Sequence, residues 1–169
     1  MKIKLIIGMT GISILFLLCY TGCKHKEEQN MESEKQVIDR YVAVWNGADL
    51  AALDSILTPG YVRHVTKGSG PAGSPEELKK VIAALRLDVP DLTIKVRDLL
   101  IKDSSAVFRW ESEGTDSGPG DFPPTNKRFK SEGITWLRFE DGRIAEEWSA
   151  SDQLDVLLQL GFGIQPPKQ

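Results

Sequence analysis

Side chains able to move protons are scarce in this chain. It has 2 histidines and 2 cysteines in 169 residues, and His25 lies in a charged N-terminal stretch, leaving His64 as the histidine of the folded part. A multi-histidine metal centre is therefore excluded by count. His64 sits in the short strand-like run "YVRHV", where a structural ring with satisfied nitrogens and a catalytic base are the two readings. Asp152 follows a strand-like run that includes Trp148 and precedes a helical repeat. It reads as a carboxylate stabilising a helix amino end or as a pocket acid. Trp148, Ala150 and Asp152 share one parity, so a Trp148 that faces a cavity would bring Asp152 to its inner end. The 4 tryptophans, Trp45, Trp110, Trp136 and Trp148, together with Phe108 and Phe122, suit either a core or an apolar ligand cavity.

The run "GSGPAG", Gly68 to Gly73, has the form of a dinucleotide fingerprint. Pro71 removes an amide that a phosphate would use, and the third glycine precedes the helix cap instead of lying inside the helix. A flexible loop at a pocket rim accounts for these glycines better.

The first residues carry Lys2 and Lys4, an apolar run from Leu5 to Leu18, then "YTGC". The run is too short to span a bilayer and ends at small residues, as a secretory signal does. Cysteine directly after Thr21 and Gly22 resembles a bacterial lipoprotein box, with Cys23 as the lipidated first residue and Tyr20 where leucine is usual. An ordinary secreted protein cleaved nearby is the alternative. Expected divisions are a signal peptide over 1–22, a charged tether over 23–35 and one domain over 36–165. Cys19 leaves with the signal and Cys23 carries lipid, so the domain has no thiol catalyst and no disulfide. Cleavage removes two lysines and no acid, making the mature chain more acidic than the −3 of the whole. Such a balance argues against a nucleic-acid partner. The expected location is the cell envelope, with the membrane touched through the lipid anchor alone.

These candidates need elements to position them. Ser33 with Gln36 reads as a capping box for a helix bearing Val37, Tyr41, Val44 and Trp45, ended by Gly47. Asp49 caps a second helix with Leu50, Leu53 and Leu57, stopped by "TPG". Ser74, Pro75 and Glu77 start a third, with Leu78, Val81, Ile82 and Leu85 on its buried stripe and Pro90 beyond its end. Period-two runs follow at Leu92 to Val96, Ala106 to Trp110, Ile134 to Phe139, and "RIAEEWSA". Asp141–Gly142 is a hairpin signal and "KDSS" a weaker one, so these strands are read as antiparallel neighbours. Ser151 is read as the cap of a last helix carrying Leu154, Leu157 and Leu158. The order is that of an α+β fold.

The segments "WNGADLAALD", "VRHV", "FRWESEGTDSG" with "FPPTNKRF", and "LRFEDGRIAEEWSASD" with "LLQLG" resemble, in order and spacing, the SnoaL-like polyketide cyclases, or ester cyclases, of nuclear transport factor 2-like fold. The likeness runs from about Tyr41 to Phe162. It implies a cone-shaped, curved antiparallel sheet on three N-terminal helices, plus a short C-terminal helix. "GTDSGPGDFPPT" would arch over the wide end, where a ligand enters. It also implies an aldol ring closure without cofactor or metal, in which Asp152 is the general acid/base, its pKa raised by burial. Trp or Asn side chains would serve the developing oxyanion. Where the family often has histidine in a "GTH" motif, this chain has Asp116, a carboxylate in place of a donor. His64 matches a pocket histidine of the family, and Trp45 and Asn46 its first-helix pair. The implied catalytic set is Asp152, Asp116 and His64, and the implied ligand contacts are Trp45, Asn46, Trp110 and Trp148. Export does not suit a cyclase of cytoplasmic polyketide chains. The expectation is thus an anchored protein that binds a small, partly apolar carbonyl compound, with acid/base chemistry or as a non-catalytic binder. Dimerisation through the outer sheet face is a further possibility.

Overall fold

The computed structural model describes residues 28–65, 73–120 and 123–165. Cys23, Phe122 and the glycine-rich run before Gly73 lie outside them. A first helix, α1, covers 28–45. Val37, Tyr41 and Val44 are buried on one face as their spacing requires, and Gly47, at φ 110°, follows its end. Ser33 lies within the helix instead of capping it. Glu34, read as tether, is buried, and burial raises its carboxyl above the ordinary range.

Asp49 caps a 3-10 turn at Leu50–Ala52 by accepting the Ala51 N–H at 2.9 Å, and the turn runs into α2, Leu53–Ile56. Strand β1, Leu57–Val65, follows at once. Leu57 and "TPG" are thus strand, not helix and stop. The register slips between Leu57 and Val62, which absorbs the Pro59–Gly60 bend in this edge strand. Helix α3, Pro75–Asp88, starts as its sequence demands: Ser74 Oγ accepts the Glu77 N–H at 3.3 Å, and Glu77 Oε2 accepts the Gly73 N–H at 2.6 Å. The last glycine of the fingerprint-like run spends its amide on a carboxylate instead of offering it to a phosphate. Near the other end of α3, Arg86 donates to the carbonyls of Val44 and Ala48, at and just past the close of α1.

Strands β2, Thr93–Lys102, β3, Ser105–Thr115, β4, Arg128–Glu140, and β5, Arg143–Ser151, form an antiparallel meander. Asp141 and Gly142 join β4 to β5 with φ of 50° and 72°, both left-handed, as a tight hairpin turn requires. The sheet order is β1-β5-β4-β3-β2, and β1 joins parallel to β5. That parallel pairing makes the sheet mixed, where the sequence had suggested an antiparallel one. Helix α4, Gln153–Leu160, is capped by Asp152. Ser151, the expected cap, is the last residue of β5. Val156 and Leu160 pack α4 against Val89, Leu92 and Phe129, while Leu154, Leu157 and Leu158 stay exposed.

Helices and sheet meet through Ile38, Val44, Leu53, Ile56, Leu78 and Ile82 against Leu137 and Ile144, all without exposed surface. Each such side chain contributes about 1.5–3 kcal/mol. Two amides close strand edges. Asn46 pairs with both backbone groups of Ile94, at 2.8 and 2.6 Å. Gln159 does the same for Lys130, at 2.9 and 2.8 Å, beyond the point where β5 stops pairing with β4. Among the described residues no helix is long and apolar enough to cross a membrane.

Candidate ligand cavity

The cavity depends on a bulge in β5. Phe139 pairs with Ile144 but Arg138 with Glu146, so one residue of β5 is extra, and Ile144 and Ala145 are both buried. Beyond it the inward parity is Glu147, Ser149 and Ser151, while Glu146, Trp148 and Ala150 face out. The sheet curls around a cavity of about 570 Å³.

At its deep end Glu147 is 2% exposed. Its Oε2 accepts the phenols of Tyr41 at 2.5 Å and Tyr61 at 2.6 Å, and its Oε1 accepts Arg63 Nε at 3.0 Å. Arg63 stands opposite Glu147 in the β1–β5 register, and its guanidinium lies 5.4 Å from the centre of the Trp45 ring. Burial pushes the Tyr41 phenol well up, with the Glu147 charge adding to it. Tyr61 is raised by burial, then by Tyr41 and Glu147. Burial alone would lower Arg63, but Glu147 and the two phenols outweigh it and hold the guanidinium charged. The cluster is a fixed set of dipoles around one ion pair.

Further out, Trp110 Nε1 donates to Thr135 Oγ1 at 3.0 Å, and Thr135 meets Ser149 Oγ at 3.0 Å. Gly133 makes this possible, because a Cβ there would stand 2.3 Å from the Trp110 ring. One wall therefore carries hydroxyls from Glu147 outward, through Ser149, Thr135 and Ser131. The facing wall is apolar, with Val42, Val81, Leu85, Ile94 and Phe108.

Of the residues singled out in the sequence, Trp45 and Trp110 line this cavity. Trp148 does not. The β5 bulge turns it outward, where it stacks between His64 at 4.6 Å and Trp136 at 4.5 Å. His64 is exposed beside the half-buried Trp148 and meets Glu146 Oε2 at 2.9 Å. Glu146 is held below the usual carboxylate range, first by His64 and then by Arg138. Asn46 is the β2 edge clamp. Asp116 accepts the Thr125 N–H at 2.9 Å and hydroxyl at 2.7 Å, closing the neck of the long loop. That loop sits on α3, with the Ser117 and Gly118 amides donating to Asp88 O at 3.2 and 2.9 Å. Among its described residues none lines the cavity, so it braces α3 where the sequence suggested an arch over the entrance.

Asp152 is exposed, its Oδ1 taken by the Asp155 N–H at 2.9 Å. Its neighbours Ser151 and Gln153 line the cavity, and Asp152 lines an adjoining recess of about 420 Å³ that shares Ser112 and Ser131 with it. It is a carboxylate at the rim. The structure does not bring Asp152, Asp116 and His64 together. Glu147, Arg63, Tyr41 and Tyr61 escaped the sequence reading. The available signal was a charged Arg63 on the same strand parity as Tyr61, with an acid pair, Glu146–Glu147, on the strand that pairs with theirs. Among the described residues no three His, Cys, Asp or Glu side chains gather to hold a metal ion.

The geometry has counterparts. IdmH of Streptomyces antibioticus, a candidate polyketide cyclase, is 28% identical with a TM-score of 0.68, covering 76% of this chain and 99% of its own. TsrD of Streptomyces laurentii is 28% identical with a TM-score of 0.68, over 77% and 96%. AclR of Streptomyces galilaeus, a candidate hydroxylase, shares the fold at 24% identity and a TM-score of 0.69, over 82% and 87%. No curated protein matches. The pattern of the SnoaL-like polyketide cyclases matches residues 35–160, and the chain belongs to that family.

Proposed function

We propose that this chain binds a small, partly apolar carbonyl compound in the cavity and moves a proton beside that carbonyl without a cofactor, Asp152 being the carrier. One observation carries the binding part: a wall of hydroxyls and an ion pair faces an apolar wall across about 570 Å³. Such a cavity holds a hydrocarbon body while fixing oxygens on one side. Asp152 at the rim can reach a ligand that projects past Ser151. Asp116 and His64 are left out of the reaction, since one closes a loop and the other stacks on the outer face.

Asp152→Asn tests the reaction. Asparagine caps a helix about as well as aspartate, so the variant should fold while its turnover of a compound from envelope extract, followed by mass spectrometry, disappears. A native rate in the variant removes Asp152. The second reading is a binder without turnover, favoured by the capping role of Asp152. In that case both proteins enrich the same compound unaltered.

The proposal extends to place and assembly. Cys23 carries lipid and holds the domain on the outer side of a membrane; an N-terminal peptide of unmodified Cys23 preceded by Gly22 would exclude this. Two copies pair through the outer sheet face, where Leu100, Val107, Ile134 and Trp136 are exposed.

A further inference from the structure

Arg63 is tied down by one nitrogen only. Nε serves Glu147, and among the described residues neither Nη nitrogen has a hydrogen-bond partner. They are not sealed away either. Among the described residues the buried side-chain atoms left without a partner are Glu34 Oε2 and Arg86 Nε, whereas Arg63 lines the cavity and keeps 13% of its side chain exposed. Trp45 beneath the guanidinium and Glu147 at its Nε edge fix the plane in which the Nη hydrogens point.

The charge at this deep end is already balanced. Arg63 is positive, Glu147 is negative, and both phenols stay protonated. A neutral carbonyl oxygen arriving at the Nη edge supplies the missing acceptor and brings no charge. A carboxylate would also find the donors, but it would leave one negative charge uncompensated beside Glu147 and lose its hydration on entry.

We infer that the Nη edge of Arg63 is the receptor for a neutral carbonyl oxygen of the ligand, a ketone, ester or amide, and that pairing with Glu147 makes the site reject the corresponding carboxylate. This rests on the cavity being the ligand site. It names Arg63 as the specificity-determining residue.

The test is a matched set of probes titrated into the full chain at pH 7: naphthalene, 2-acetylnaphthalene and 2-naphthoate, with binding read by calorimetry. The ketone should bind about tenfold or more tighter than naphthalene or naphthoate, the worth of one hydrogen bond to a charged donor. Glu147→Gln, which keeps the shape and removes the negative charge, should reverse the order of ketone and naphthoate. Should that variant fail to fold, Arg63→Lys should weaken the ketone about tenfold and leave naphthalene unchanged. Naphthoate binding the unaltered chain as tightly as the ketone overturns the inference. So does an unchanged order in Glu147→Gln, or an unchanged ketone affinity in Arg63→Lys. Naphthalene bound without gain for the ketone overturns the role of Arg63 and leaves the cavity standing as a ligand site. Failure of all three probes overturns both.

Discussion

Glu147 takes three donors on two oxygens and is almost wholly buried. A buried carboxylate so supplied is inexpensive to keep, but removing one donor is not. Tyr41→Phe should lower stability by about 1.5–3 kcal/mol, measured by urea unfolding, with the family of native contacts otherwise intact. The two phenols also set an alkaline limit. Their folded pKa values lie above the ordinary value of about 10, so the native state keeps protons that the unfolded state releases. Their contribution is whole below pH of about 10 and declines as pH rises past it. Tyr41→Phe should flatten that decline, and an equally steep loss in the variant would assign it to other groups. None of this was legible in the sequence, because the acid pair Glu146–Glu147 does not reveal which member faces in. The extra residue in β5 decides it, and nothing in "RIAEEWSA" marks where it falls.

Several elements whose making is local were readable, although Ser33 and Ser151 are not the caps they resemble. Asp49, Ser74 with Pro75, and the Asp141–Gly142 turn each act within a few residues of themselves, and each does what its type suggests. Elements decided by distant partners were not. Leu57 and "TPG" join β1 because β5 is there to pair with them, and α4 turns Val156 and Leu160 inward because the patch of Val89, Leu92 and Phe129 lies on that side. Asn46 is the sharpest instance. It resembles a ligand contact by position, yet its amide closes the free edge of β2. Asn46→Ala should therefore cost about 1–2 kcal/mol of stability and leave probe affinity in the cavity unchanged. A tenfold weaker ligand with unaltered stability would return Asn46 to the site.

Across the whole molecule, the sheet divides two kinds of surface. Its inner face makes the cavity, and its outer face carries the His64–Trp148–Trp136 stack with Trp136 44% exposed. A monomer gains little from presenting a tryptophan in this way. If two copies cover it, Trp136→Lys should shift sedimentation toward the monomer at a concentration where the unaltered chain pairs, with the fold unchanged by circular dichroism. Identical sedimentation of the two proteins would place the contact elsewhere or remove it.

The parallel seam between β1 and β5 joins an early strand to the last one. Tyr41, Tyr61 and Arg63 are all synthesised long before Glu147, and until it arrives the guanidinium has no counter-charge and β1 no neighbour in the sheet. The deep end of the cavity is consequently a late product of biosynthesis. A chain arrested before β5 holds most of the helices and the β2–β4 meander but has nowhere to seat a ligand, so binding reports completion of the polypeptide as well as its folding.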